Sequence, residues 1–220
     1  MENKFSIVIP TMYKCPEVLV QLLSNLHQDP YVSEVILIEN VAKELVPNIE
    51  YPENSRIKVV PLGKNIYVNP SWNLGVSMCT EEYIGILNDD ITIPDNLFTF
   101  LSLTDFTNIG ILGACDFLIQ EVRNPDRFQT RYSTLIAAED RLWGFGVMMI
   151  MKKDRYYSIP EDLLIWCGDD YLFHKNKQAG KQNAVILCPI QTRMSTTSNN
   201  PEYDKIKKKD EVTYNLKYKV

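Results

Sequence analysis

Two acidic pairs stand out in the 220-residue sequence: Asp89-Asp90, preceded by Asn88, and Asp169-Asp170, preceded by Gly168. The first pair closes the run Tyr83-Ile84-Gly85-Ile86-Leu87. An apolar run of this length with a polar end reads as a buried strand of a mostly parallel sheet. In open α/β sheets, ligands bind beyond the carboxyl ends of such strands. Adjacent carboxylates repel one another and need a cation, a donor group or water. Hard cations such as Mg²⁺ and Mn²⁺ prefer oxygen ligands, and Mg²⁺ is often shared with substrate phosphates. The plain alternative is a solvated strand-end turn, because Asn and Asp are common turn formers. The second pair opens a helix that Gly180 ends, and carboxylates suit a helix N-terminus on electrostatic grounds alone.

These residues need a scaffold, and its pattern is legible. Phe5 to Ile9 reads as a buried strand leading into Pro10-Thr11, and Pro16 begins a helix carrying Leu19, Leu22, Leu23 and Leu26 at helical spacing. Glu34 to Ile38 and Arg56 to Val60 are further strands, and Glu39 closes the first of them. Asn69-Pro70 predicts a helix start with Asn as cap, and Pro94 another helix. Ile109 to Ala114, Gly144 to Met151 and Ala184 to Leu187 read as later strands, with residues 116 to 135 as an excursion or hairpin. Such alternation argues for an α/β fold with a largely parallel sheet. Thr11, Glu39 and Asp89 would then share one edge of that sheet.

Composition excludes several classes. Apolar residues make up 45% and charged residues 23%, ordinary for a globular protein. No run approaches the roughly 18 apolar residues of a membrane span, and the start at Met1 lacks the features of a signal peptide, which together predict a cytoplasmic protein. The five cysteines are odd in number and widely spaced, and read as reduced thiols. A net charge of −5 argues against a broad nucleic-acid footprint.

Six segments, in this order and at about this spacing, resemble family 2 glycosyltransferases of the GT-A fold. They are Ser6-Ile7-Val8-Ile9-Pro10-Thr11; Glu34-Val35-Ile36-Leu37-Ile38-Glu39-Asn40; Lys64-Asn65 with Trp72-Asn73-Leu74-Gly75; Tyr83 to Asp90; Gly144-Phe145-Gly146; and Gly168-Asp169-Asp170. The resemblance covers about residues 5 to 180. It implies a Rossmann-like, mostly parallel central sheet flanked by helices in a single domain, residues 1–190. Residues 1–90 would be its nucleotide-binding half and 91–190 its acceptor half, with 191–220 a polar, basic tail that is mobile or docks over the site. Pro10 and Thr11 would pack on the base of a nucleotide sugar, with Glu39 accepting from the base imide, Asp89 reaching the ribose, and Asn73 and Gly144 in the same donor site. Asp90, beside Asp89, would bind Mn²⁺ or Mg²⁺. Asp170 would be the general base and Asp169 would place the acceptor. The implied activity is an inverting, metal-dependent transfer from a nucleotide sugar, UDP-linked by preference, to an acceptor hydroxyl.

The sequence also departs from the family pattern. Asn88 stands at the first position of the metal motif, where aspartate is frequent, and Glu39 stands where Asp is usual. Tyr67 and Trp72 fall where a glycine and often a basic residue occur, so the diphosphate contact is unassigned. Neither His27 nor His174 lies between Ile190 and Thr197, where a late metal-binding histidine would be sought. His27 reads as structural and His174 as outward-facing. Trp143, Trp166 and Tyr171 are either sugar-stacking walls or plain core. Arg123, Arg127 and Arg131 bind a phosphate or an acidic acceptor, or form a solvated face; Lys205 to Lys209 read as a solvated tail or an anion contact. Two rivals stay open. A nucleotidyltransferase would want a glycine-rich, basic loop after the first strand, but Thr11 to Cys15 has one Lys and no Gly. A catalytically silent binding or scaffold module would keep the fold alone. The acceptor class stays open, with glycans, other hydroxyl-bearing molecules and nucleic acid among the options.

Overall fold

A computed structural model describes residues 2–51, 55–115, 119–121, 134–193 and 200–219 of the chain. Most of the expected excursion after residue 115, with Arg123, Arg127 and Arg131, lies outside the described residues. The elements that build the site are β1 (Phe5–Thr11), α1 (Pro16–Gln28), β2 (Val32–Glu39), β3 (Ile57–Pro61), α2 (Val68–Met78) and β4 (Tyr83–Leu87). They are followed by β5 (Ile91–Thr92), α3 (Leu97–Ser102), β6 (Ile109–Ala114), β7 (Ile119–Glu121), β8 (Leu135–Ala137) and β9 (Met148–Lys152). The chain then forms α4 (Gly168–Gln178), β10 (Gln182–Ile186), β11 (Ile190–Thr192) and α5 (Asp204–Lys217).

Eight strands form one sheet in the order β3-β2-β1-β4-β9-β6-β10-β8. Strands β1 to β4 are mutually parallel, and β6 runs parallel to β10. Strand β9 runs antiparallel between β4 and β6, and β8 is an antiparallel edge, so the sheet is mixed in its second half. A second, three-stranded sheet joins β5, β11 and β7, and so brings residues 190–192 beside the segment that follows Asp90.

Burial on both faces explains the unbroken apolar strands. In β1, Ile7 and Ile9 pack with Leu19, Leu22 and Leu26 of α1 on one face, while Val8 packs with Trp72 and Val76 of α2 on the other. Gly75 is the point of closest approach on that second face. A Cβ there would fall 2.2 Å from Val8 Cγ1, so only glycine lets α2 lie this close to the sheet. At the N-terminal end of the sheet, the buried Glu34 accepts from Ser6 Oγ at 2.6 Å, from Thr80 N at 2.7 Å and from Thr80 Oγ1 at 2.6 Å, and pairs with Lys58.

The local structure corrects several sequence expectations. Helix α2 starts at Val68, because Asn69 is not a cap: it is buried, and its amide donates to the carbonyls of Leu163 and Trp166. Helix α3 starts three residues beyond Pro94, whose carbonyl accepts from Leu97 N. Gly144 is left-handed at φ 73° and leads into a 3-10 turn over Phe145–Val147, so the following strand begins only at Met148. His174 does not face outward. Its Nδ1 lies 3.0 Å from the Asp170 carbonyl and contacts the Tyr214 hydroxyl of α5. Residues 204–217 form a helix with Asp210 and Tyr214 buried.

Candidate active site

The carboxyl ends of β1, β2 and β4 converge as their topology requires. Thr11 pairs in register with Glu39 across β1 and β2. Thr11 Oγ1 donates to Asp89 Oδ2 at 2.6 Å and accepts from Tyr13 N at 2.9 Å, which locks the turn after β1. The Tyr13 hydroxyl donates to Glu39 Oε1 at 2.6 Å and lies 3.1 Å from the Tyr51 hydroxyl. Beside these strand ends a cavity is lined by Pro10, Thr11, Asn88, Asp89, Asp90 and Gly144. Asp169 and Asp170, at the first turn of α4, line the same cavity. Residues 80 positions apart in the chain therefore face one space.

Glu39 and Asn73 lie outside this lining. Glu39 is held by Tyr13 at the strand end, and its neighbour Asn40 reaches the cavity instead. Asn73 is fully engaged with another segment: its Oδ1 accepts from Tyr156 Oη at 2.7 Å and Ile159 N at 2.9 Å, and its amide donates to Ile159 O at 2.8 Å. Its place in α2 ties that helix to the 156–159 stretch.

Asn40 also shapes the cavity wall. Its Oδ1 accepts from Ile66 N at 2.6 Å and its Nδ2 donates to Tyr67 O at 3.2 Å. Asn65 Oδ1 accepts from Tyr67 N at 2.7 Å. These bonds hold Tyr67 at φ 70° and ψ 177°, a conformation that is essentially glycine's own. The sequence comparison with the family pattern had a tyrosine where glycine is usual, and the backbone keeps the glycine shape. Cys167, also lining the cavity, is left-handed at φ 60°, two residues before Asp169.

Arg141 was missed by the sequence reading. Its Nε donates to Asp170 Oδ1 at 2.5 Å and its Nη1 to Asp169 Oδ2 at 3.1 Å, so one guanidinium bridges both carboxylates. The only cue in sequence was an Arg two residues before Trp143, with no spacing rule linking it to residues 169 and 170. Gly146 lets this cluster pack: a Cβ there would meet Asp169 Oδ2 at 2.9 Å. Burial, with the charge of Asp170, pushes the Asp169 carboxyl above the usual range, and the Arg141 charge pulls it the other way. Trp143 and Trp166 are 60% and 37% exposed and line the cavity, which rules out the plain-core reading for both.

The electrostatics of the first pair fit a bound cation. Burial raises the Asp89 carboxyl to about 6; the Thr11 hydrogen bond opposes this and the Asp90 charge adds to it. Thr192 Oγ1 of β11 donates to Asp90 Oδ1 at 3.3 Å, so the late segment does reach this carboxylate, with a hydroxyl where a histidine was sought. Four carboxylates and one guanidinium line the cavity among the described residues, and that guanidinium is bonded to Asp169 and Asp170. Carboxylates in this excess favour a cation over an anion in the cavity. No group of three or more His, Cys, Asp or Glu among the described residues is placed to hold a metal by itself. The pair Asp89-Asp90 fits a hard ion whose remaining ligands come from elsewhere, the usual habit of Mg²⁺ with substrate phosphates.

Solved structures share this mixed-sheet fold. The chain superposes on GalNAc-T7, crystallised with UDP, GalNAc and Mn²⁺, with TM-score 0.66 and 12% identity over 92% of this chain and 46% of that one. It superposes on residues 1–349 of S. aureus TarS with TM-score 0.58 and 16% identity over 99% and 76% of the two chains. The mannosyltransferase PcManGT from Pyrobaculum calidifontis, solved with GDP-Man and Mn²⁺, gives TM-score 0.57 and 14% identity over 90% and 59%. At these identities the likeness shows the fold, which is GT-A. The chain spans less than half of the first of these proteins. Residues 6–151 match the model of glycosyl transferase family 2, and the chain belongs to that family. A search of curated proteins returns no match. No helix among the described residues is long and apolar enough to cross a membrane.

Proposed function

We propose that this chain is an inverting glycosyltransferase that takes its sugar from a nucleotide sugar, a UDP-sugar by preference. Asp89 and Asp90 would hold a divalent ion, Mn²⁺ or Mg²⁺, and Asp170 would act as general base. The observation that carries this reading is that Asp89-Asp90 and Asp169-Asp170, far apart in the chain, line one cavity. When bound, the ion would neutralise charge gathering on the departing diphosphate. Pro10, Thr11 and Asn40 would seat the nucleoside, and the carboxylate of Asp89 would meet its ribose.

Asp170 would take the proton of the acceptor hydroxyl. The freed oxygen would form a bond to the anomeric carbon while the carbon–oxygen bond to the diphosphate breaks on the opposite face. The nucleoside diphosphate leaves with that electron pair, and the anomeric configuration inverts. Arg141 occupies Oδ1 of Asp170, so Oδ2 is the oxygen left to receive the proton. Asp169, bonded to the same guanidinium, would fix the orientation of the pair.

Calorimetric titration with UDP, GDP, UDP-glucose and UDP-N-acetylglucosamine, each with Mn²⁺ and with EDTA, tests the donor half. Ion-dependent binding of one nucleotide, lost in Asp90→Ala, is the expected result. Absence of binding in every condition would overturn the reading. Asp170→Asn then separates an enzyme from a silent module: an enzyme loses turnover by at least about a hundredfold and still binds donor.

A further inference from the structure

Asp210 is a carboxylate with 0% exposure on a helix whose sequence is otherwise strongly charged. Its Oδ2 accepts three consecutive backbone amides: Leu164 N at 3.0 Å, Ile165 N at 2.7 Å and Trp166 N at 2.9 Å. Successive amides converging in this way form a concavity suited to an anion. The chain supplies that anion from its own C-terminal helix. Oδ1 of the same carboxylate is buried with no hydrogen-bond partner among the described residues. A buried carboxylate left half-satisfied is a poor device for stability alone, since dry polar atoms carry a desolvation penalty.

The loop is gripped from its other side as well. Asn69 of α2 donates to the carbonyls of Leu163 and Trp166, at 3.1 and 3.2 Å. The same loop runs directly into Cys167, with its left-handed backbone, and then into Asp169 and Asp170 at the start of α4. Helix α5 makes further contacts on this unit, among them an ion pair of Lys217 with Asp162, 2.6 Å apart, at the entrance to the loop. Lys207 Nζ lies 5.8 Å from the Trp166 ring centroid, and the Tyr214 hydroxyl meets His174, one turn beyond Asp170. Asp210 itself does not line the cavity.

We infer that Asp210 is a positioning residue for the acceptor side of the cavity. By holding the amides of Leu164, Ile165 and Trp166, it fixes the backbone that presents the Trp166 indole and the Asp169-Asp170 pair. This deepens the glycosyltransferase reading and rests on it for its consequence in catalysis, while the anchoring itself rests on the geometry. The segment 204–217 thereby becomes part of the machinery, as the docked reading of the tail has it, while Lys205, Lys208 and Lys209 stay exposed.

Two measurements on the full chain test it. Hydrogen–deuterium exchange is compared between wild type, Asp210→Asn and Asp210→Ala, with Glu82→Ala as a control at an ion pair with Lys152 away from this unit. The amides of residues 164–166 are expected to exchange roughly tenfold or more faster in both Asp210 variants, because each loses a charge-assisted acceptor. Amides of β1, β2 and β4 should keep wild-type rates in the Asp210 variants, and Glu82→Ala should match wild type at residues 164–166. Asp210→Asn is nearly isosteric and guards against a misfolded alanine variant. Unchanged exchange at 164–166, or a uniform rise across the whole sheet, would overturn the inference.

The second measurement is release of UDP from a UDP-sugar with Mn²⁺, water serving as acceptor. The rate constant at saturation is expected to fall about tenfold or more in Asp210→Asn while donor affinity, read by calorimetry, stays at the wild-type value. A loosened loop with an unchanged rate would sink the catalytic link. If wild type neither binds nor turns over a nucleotide sugar, the enzymatic reading fails by itself, and the exchange data still decide whether Asp210 anchors the loop.

Discussion

Tyr67 carries a conformation that its side chain disfavours, and three hydrogen-bonding partners around it explain why it stays there. Asn65 accepts its N–H, while Asn40 and Ser71 donate to its carbonyl. Strain of this kind is worth about 1–3 kcal/mol. Comparing Tyr67→Gly with Tyr67→Ala isolates it, since both remove the ring and only glycine relaxes the backbone. The glycine variant is expected to be the more stable of the two by about 1–3 kcal/mol in urea denaturation. Arg141 makes the opposite point at the same scale. Its bridge to Asp169 and Asp170 is simple electrostatics once seen, yet nothing in the spacing of 141, 169 and 170 announces it.

The elements are held by contacts that can be tested one at a time. Helix α2 lies on β1 because Gly75 has no Cβ to strike Val8. Gly75→Ala is expected to destabilise the fold by about 1–3 kcal/mol, through forced displacement in a packed core, measurable by chemical denaturation. The N-terminal ends of β1 and β2 are joined through Glu34. Burial opposes its ionisation, but the bonds from Lys58, Ser6 and Thr80 outweigh that and draw its carboxyl down from 4.5 to about 2. Folded Glu34 thus binds its proton less readily than unfolded Glu34. Its contribution to stability is present above pH 4.5 and is lost as the pH falls through about 2. Denaturation midpoints at pH 6 and pH 3 should differ less in Glu34→Gln than in wild type.

At the scale of the whole molecule, a cavity with four carboxylates and one guanidinium predicts that ligand and cation stabilise together. Any ligand that binds only the folded state raises stability, by about 2.7 kcal/mol at a concentration 100 times its Kd. UDP with Mn²⁺ is therefore expected to raise the thermal midpoint by several degrees. UDP with EDTA should leave it where the free protein lies, and a differential scanning measurement compares the two. The C-terminal helix belongs to the same whole. Its buried Asp210 and Tyr214 reach a loop and a helix more than 35 positions earlier in the chain.

What the sequence determined by itself follows from local periodicity and from topology. Apolar runs such as Ile7-Val8-Ile9 and Ile36-Leu37-Ile38 are buried on both faces, and that pattern is written residue by residue. A parallel order then forces Thr11 and Asp89 to one edge, where they are indeed hydrogen-bonded. Only the tertiary structure decided the rest. Antiparallel β9 is inserted between β4 and β6 by contacts distant along the chain, which no periodicity encodes. Asn69 looked like a cap because caps are local, and its long-range bonds to Leu163 and Trp166 overrode that preference. The basic, polar composition of residues 204–217 leaves a mobile tail and a docked one both open, because one buried aspartate and one buried tyrosine do not alter an average. Their partners, Leu164 to Trp166 and His174, are neighbours only in the folded chain.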